Sequence, residues 1–333
     1  MNTVILYSVG DCEDCENILI MLSELRNVYP HQVVKIAIDD DNALYEMYKN
    51  EAPFLQIGPY RLLYPFSSQE LKVTLGAAKD RFQAKVSLEG EDFKRRLNDG
   101  HNFTRSDRIS LWLSSGYIWL INLIIFIYVG LPFLAPVLMK SGEVSAAKVI
   151  YTVYSPLCHQ LAFRSWFFYG EQPFYPRELA GLSQVVTYEQ LTQDNALDIS
   201  AARKFVGNEK AGYKVALCER DVAIYASMLL FGVLYAINGR KIKSIPWYSW
   251  LIFGLTPIAI DGVSQLTMVV QNSFPGLNIY RESTPFLRSL TGGLFGLMTA
   301  WYIYPLIEEA MLENRNLLLK KQAVSQYLRI RAH

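Results

Sequence analysis

Residues 109–138 read ISLWLSSGYIWLINLIIFIYVGLPFLAPVL, an apolar run without one charged side chain. About 20 residues of helix cross the hydrocarbon core of a bilayer, so this stretch is more than long enough. Further apolar stretches follow at residues 222–237, 247–270 and about 287–307. Trp247, Tyr248 and Trp250 open one of them, and Trp301, Tyr302 and Tyr304 close another, as interfacial aromatic belts do. The chain of 333 residues is 51% hydrophobic with a net charge of +1, which by itself would not separate it from a soluble protein. Distribution decides the matter. Charges crowd into the first 110 positions, an insert near 170–220 and the C-terminal end. The near-zero net charge argues against nucleic acid as a partner, because phosphate binding needs a concentrated basic surface. The lipid bilayer is the partner the apolar runs require.

Lysine and arginine placement orients these stretches. With four crossings and a cytoplasmic N-terminus, the inner face collects three basic groups. They are a linker at 84–110 (Lys94, Arg95, Arg96, Arg105, Arg108), then Arg240, Lys241 and Lys243, then Arg315, Lys320, Lys321, Arg329 and Arg331. Five crossings would put the last two groups outside, against the positive-inside rule. Residues 146–169, which carry Lys148, His159 and Arg164, then become an interfacial or re-entrant helix on the outer side. Residues 170–217 form an outer insert that caps a site or contacts another subunit; a helix is expected after Asp198. The expectation is an all-α polytopic domain at 111–310 in the cytoplasmic membrane, with a solvated cytoplasmic helix at 311–333. The opening residues have neither the basic region nor the cleavage site of a signal peptide, which keeps the N-terminus in the cytoplasm.

The N-terminal 83 residues read differently. Residues 3–9 are β-branched and aromatic, a buried strand, and Cys12-Glu13-Asp14-Cys15 follows directly. Ile18, Leu19, Met21, Leu22 and Leu25 then mark an amphipathic helix. Strands are expected at 33–38, 54–57 and about 61–64, a short helix at 43–48, and a longer one from 67 to about 82. A C-x-x-C pair at a strand-to-helix junction places the first sulfur at a helix N-terminus, where unpaired N–H groups favour the thiolate. Glu13 and Asp14 oppose that effect, since adjacent carboxylates repel a thiolate. Over about 80 residues this α/β segment resembles the thioredoxin and glutaredoxin superfamily. The resemblance implies a cis-proline at Pro53 facing the thiols, with Cys12 as nucleophile and Cys15 as resolving thiol. A module kept for docking or metal handling is the competing reading.

In the membrane half four patterns gather at the outer end of the spans: Cys158-His159-Gln160 with Arg164-Ser165; Cys218-Glu219-Arg220-Asp221; Asp261-Gly262-x-x-Gln265; and Arg281-Glu282-Ser283-Thr284 with Arg288 and Gly292. Together they resemble domain of unknown function 2085 (DUF2085), a family of small prokaryotic membrane proteins, over roughly residues 145–305. Relatives often carry Cys-x-x-Cys in the second pattern, where Asp221 stands here. The resemblance implies a grouping and no reaction.

Physical chemistry supplies the candidates. Asp261 and Gln265 are four apart and share a helix face. An ionisable group inside a span costs at least ~2.5–3.5 kcal/mol, so Asp261 needs a partner, and Arg288 is the expected one. Arg281 and Arg288, seven apart, are expected on one helix face, with Gly292-x-x-x-Gly296 allowing close helix approach below them. An architectural ion pair is the plain alternative to a site. Arg164, Arg220, Arg281 and Arg288, with Asp261 and Gln265, would suit an anionic ligand or lipid headgroup. Cys158 and Cys218 are open to three readings: a disulfide, a zinc site shared with His159, or unpaired thiols.

Three function classes follow. They are a membrane-anchored thiol–disulfide oxidoreductase served by a cytoplasmic thiol reductant, a membrane enzyme or binding protein with an outer-face site, and an accessory subunit of a larger membrane complex.

Overall fold

The computed structural model describes residues 2–10, 12–39, 45, 48–193, 198–265 and 281–332. Two compact units emerge, one from Met1–Ser115 with Glu309–His333 and one from Gly116–Glu308.

The first unit is mixed α/β. Strands β1 (Asn2–Ser8), β2 (His31–Ala37), β3 (Phe54–Ile57) and β4 (Tyr60–Leu63) form a sheet in the order β2-β1-β3-β4. β1 and β2 are parallel, and the other two pairings are antiparallel. A parallel pair needs a crossover, which α1 (Glu13–Leu25) provides. Ile18, Leu22 and Leu25 recur at helical spacing and bury against Val4, Leu6, Leu55 and Ile57. Helix α2 (Ser68–His101) adds Leu71, Leu75 and Ala78 to the same core. Its N-terminus is closed by a capping box, in which Ser67 N–H donates to Glu70 at 2.7 Å and Glu70 N–H donates to the Ser67 hydroxyl at 3.2 Å. Residues 84–101, expected as linker, instead continue α2, interrupted at Gly90, whose φ of 57° ordinary residues avoid. The sequence there is rich in Lys, Glu, Leu and Arg, all strong helix formers. The helix expected at 43–48 lies, apart from residues 45 and 48, outside the described residues. Ala52–Pro53 is cis, as is Tyr64–Pro65, which nothing in the sequence announced.

A second cluster of Tyr7, Val34, Ile36, Ile38 and Phe54 includes Leu319 from the C-terminal part of the last helix. Lys321 pairs with Asp107 at 2.8 Å, and Ser325 Oγ accepts from Phe103 N–H at 3.3 Å. The tail expected to be solvated is thus packed into this unit, and Arg315, Asn316 and Leu318 are buried.

The second unit is mostly helical. Among the described residues three helices are long and apolar enough to cross a membrane: α3 (Arg105–Lys140), α7 (Glu219–Ile237) and the stretch Pro285–Gln322 of α10 (Pro285–Ala332). The expected number was about four. The stretch at 247–270 is helical as far as it is described, but in three pieces: α8 (Trp247–Ser249), a π-helical segment at Trp250–Leu255 and α9 (Thr256–Val263). Pro257 cannot donate a backbone hydrogen bond. The turn before it widens, and Thr256 N–H reaches back five residues to Leu251 O. This run lies antiparallel to α10. Ser244 Oγ donates to Tyr302 O at 2.9 Å, Trp250 Nε1 donates to Thr299 Oγ1 at 3.0 Å, and Gly254 abuts Met298.

Glycine sets the contact between α7 and α10. A Cβ on Gly292 would lie 2.7 Å from Arg220 O, and one on Gly296 would lie 2.1 Å from Ile224 O.

The region 144–218 departs from the all-α expectation. Helix α4 (Val144–Tyr154) is followed by a small antiparallel sheet of β5 (Ser165–Phe168), β7 (Gly212–Cys218) and β6 (Gly207–Asn208), in the order β5-β7-β6. Two short helices, α5 (Tyr188–Thr192) and α6 (Ile199–Lys204), complete it; the second is the helix expected after Asp198, which caps it through Ala201 N–H at 2.9 Å. Phe163, Phe167, Tyr175 and Tyr188 form the core. Lys214 is fully buried in β7 and donates to Gln160 O and Arg203 O, both at 2.7 Å. Burial pushes its pKa down to about 7.

Two outcomes follow. Gly296→Ala should lose about 1–3 kcal/mol by overpacking, whereas Gly130→Ala, which meets open space, should be neutral; unfolding midpoints in detergent compare them. Lys214 holds its proton to about pH 10.4 when unfolded and to about 7 when folded, so the unfolded chain binds more protons between those values. Its contribution to stability is full above the unfolded value and is lost as pH falls toward 7. Lys214→Met should therefore flatten the rise of thermal stability over that window.

Candidate functional site

Each unit carries one candidate site. In the first, Cys12 is the N-cap residue of α1, and its sulfur accepts from Cys15 N–H at 3.1 Å. Cys12 is half-buried, Cys15 is 1% exposed, and the two are joined as a disulfide. Asp39 accepts from Gly10 N–H at 3.0 Å and holds the turn that leads to Cys12. Pro53 directly precedes β3, and the pairing of Phe54 with Tyr7 puts it beside the end of β1 from which the cysteines follow. Glu13 and Asp14 are exposed in the first turn of α1, where the macrodipole favours carboxylates.

The second site is a cavity of about 530 Å³. Cys158, His159, Arg164, Cys218, Arg220, Gln265 and Arg288 line it, and Arg177, Asp221 and Glu282 join them. Asp261 and Arg281 lie one contact further out.

Every predicted arginine here meets a carboxylate. Glu282 accepts from Arg164 Nε and Nη2 at 2.9 and 3.1 Å, from Arg288, and faces Arg177 at 3.6 Å. Arg288 also donates to Glu219 at 3.0 Å. Asp261 pairs with Arg220 and lies 3.7 Å from Arg281, which also donates to Ser264 Oγ at 3.1 Å. The expected Asp261–Arg288 pair is therefore replaced by two separate groupings. Arg288 is drawn to Glu282, six positions before it, and to Glu219 at the head of α7. Arg281 is not on the helix face of Arg288 either, because α10 begins only at Pro285 and a residue before proline resists helical conformation. Gln265 donates to Asp261 O at 2.7 Å, the main-chain oxygen rather than the carboxylate. Arg288 Nε, Arg220 Nε and Gln265 Oε1 are buried without a hydrogen-bond partner among the described residues.

The two sulfurs meet at one wall of the cavity. Cys158 follows α4, and Cys218 ends β7 and caps α7. Both thiols are free. Cys158 Sγ accepts from Cys218 N–H at 3.3 Å and from Gln160 N–H at 3.5 Å. A hydrogen bond from the Cys218 thiol lowers the pKa of Cys158, and the same bond with burial raises that of Cys218. The third potential ligand beside them is Asp221, not His159. Ligand atoms of Cys158, Cys218 and Asp221 lie within 4.8 Å of one another, and His159 is exposed outside this cluster.

Sequence reasoning passed over Glu219, Glu282 and Arg177 as site residues. The two glutamates sat inside the quoted patterns. They could have been found by asking which acids balance the four arginines of these patterns. Arg177 carried no local signal, since only the fold of the insert brings it to Glu282.

Residues 208–302 match the family described as "Predicted membrane protein (DUF2085)". The chain is also similar to an uncharacterised protein of Methanocaldococcus jannaschii, 29% identical over 199 residues, which is 57% of this chain and 90% of that one. Cys218, Arg220, Asp261, Gln265, Arg281 and Arg288 fall inside the family match, whereas Cys158, His159 and Arg164 precede it.

Removing one member of a buried charge cluster strands the others. Glu282→Ala should cost about 3–5 kcal/mol. Arg281→Ala, at a side chain 42% exposed, should cost under about 1 kcal/mol. Denaturant titrations of the detergent-solubilised protein measure both.

Proposed function

We propose that this protein is a four-pass protein of the cytoplasmic membrane whose N-terminal unit is thioredoxin-like and performs thiol–disulfide exchange through Cys12 and Cys15. The observation that carries this reading is the asymmetry of the pair: a half-buried cysteine at a helix N-terminus bonded to a fully buried one. In the reduced pair, Cys15 N–H and the dipole of α1 would stabilise the Cys12 thiolate. That thiolate attacks one sulfur of a substrate disulfide and releases the other as a thiolate. Cys15, deprotonated, then attacks the Cys12 sulfur of the mixed disulfide. The substrate leaves as a dithiol, two electrons having passed to it, and the Cys12–Cys15 disulfide remains. A low-molecular-weight or protein thiol must re-reduce it.

Parity supports the fourth crossing. The segments 1–115 and 309–333 form one compact unit, which favours an even number of crossings between them. Three long helices leave that number odd. The run from Trp247 to Val263, which packs antiparallel to α10 through Trp250 and Thr299 and rises about 1.5 Å per residue, is the candidate for the remaining pass. Lys and Arg placement favours the cytoplasm for the first unit.

In the full-length protein, Cys15→Ser should accumulate a mixed disulfide at Cys12 with an aromatic disulfide probe, one aromatic thiolate leaving and reductant reversing the bond, and Cys12→Ser should form none at Cys15. Mass spectrometry reads the adduct; equal labelling of both variants would overturn the reading. A carboxylate about 7 Å away through water is worth about 0.6 kcal/mol. Glu13→Gln should then speed alkylation of reduced Cys12 at neutral pH about threefold.

A further inference from the structure

We infer that Cys158, Cys218 and Asp221 bind a zinc-class divalent metal ion, with one coordination position left open to the adjoining cavity. The three residues come from two places that the fold joins. Cys158 lies in the turn after α4, while Cys218 and Asp221 are the cap and the third residue of α7. Positions three apart at a helix start share a face, so Cys218 and Asp221 approach one centre from the same side. Their ligand atoms and Cys158 Sγ already lie within 4.8 Å of each other. Around a tetrahedral ion with bonds of about 2.0–2.3 Å, neighbouring ligand atoms stand roughly 3.3–3.8 Å apart. Closing on an ion therefore needs these atoms to approach by about 1 Å.

The surroundings fit an anionic sulfur. Cys158 Sγ receives two backbone N–H groups, from Cys218 and Gln160. Gln160 reaches it by adopting a φ of 51°, a conformation uncommon for a residue other than glycine. Its side chain locks that turn by donating to Tyr151 O at 2.9 Å. Such outer contacts orient metal-bound thiolates. Among the described residues of the neighbouring network, Arg164, Arg177, Arg220, Arg281 and Arg288 stand against Glu189, Glu219, Asp261 and Glu282, a formal surplus of one positive charge that favours thiolates nearby. Soft sulfur ligands select zinc over magnesium or calcium. All three ligands also line the cavity of about 530 Å³, so an ion held by them keeps a face toward that space, where water or an anionic oxygen can bind. A disulfide between Cys158 and Cys218 would leave Asp221 without this role.

The test uses the full-length protein carrying Cys12→Ser and Cys15→Ser, so that the other pair cannot bind metal. Elemental mass spectrometry should find roughly one equivalent of zinc per chain, and cobalt(II) loading should give thiolate-to-cobalt charge-transfer absorption with tetrahedral intensity. Cys158→Ser and Asp221→Ala should each weaken cobalt binding by at least about 100-fold, and His159→Ala should leave it unchanged. The parent protein decides the matter even if a ligand variant fails to fold. No charge-transfer band with both thiols open to alkylation overturns the site. So does peptide mapping that finds Cys158 bonded to Cys218, or His159→Ala abolishing the band while Asp221→Ala keeps it.

Discussion

Ionised side chains in an apolar bundle must find each other, and this requirement organises the second unit. Glu282 and Arg288 are both nearly inaccessible, as is Glu219. Around them the start of α10, the head of α7 and the region 144–218 converge, because Arg164 and Arg177 come from that region and also seek Glu282. A single buried carboxylate thus holds three guanidinium groups, and through them three parts of the chain. Asp261 does the same on a smaller scale for α9, α7 and the segment before α10.

That convergence depends on backbone proximity. α7 and α10 approach so closely at Gly292 and Gly296 that a methyl group would overlap Arg220 O and Ile224 O. Gly232 makes a like contact with Asn122 on α3. Without a hydrophobic drive between helices in lipid, small residues and polar contacts set the geometry. The glycine contacts bring the helix heads together, and the charge cluster forms where they meet.

Much of this was legible in the sequence, and the illegible parts have physical reasons. The order of the described elements in the first unit followed from alternation and from the strand-to-helix position of Cys12, since local periodicity reflects burial directly. The positions of three long apolar helices were equally plain. The π-helical interruption before Pro257 was not, because a widened turn leaves the apolar pattern unbroken. The β-strand at Ser165–Phe168 fell in a stretch that reads as an interfacial or re-entrant helix, because Trp166, Phe167 and Phe168 satisfy a membrane surface as well as a sheet, and Gly212–Cys218 fell in the outer insert. At the site, residue types pointed to the right neighbourhood but not to the pairing. Asp261 met Arg220 rather than Arg288, and Asp221 stood where His159 was expected. Pairing among several like groups depends on rotamers and helix ends, which no spacing rule contains.

The charge cluster also bears on how the chain is made. Arg164 precedes its partner Glu282 by 118 positions, and Glu219 precedes Arg288 by 69. During synthesis the earlier members leave the ribosome well before the later ones exist. Until the last helix is delivered, they must stay hydrated at the headgroup level instead of entering the bundle. Biogenesis of this half is therefore finished from its C-terminal end: a nascent chain stopped before residue 282 lacks the carboxylate that Arg164 and Arg177 share in the mature protein.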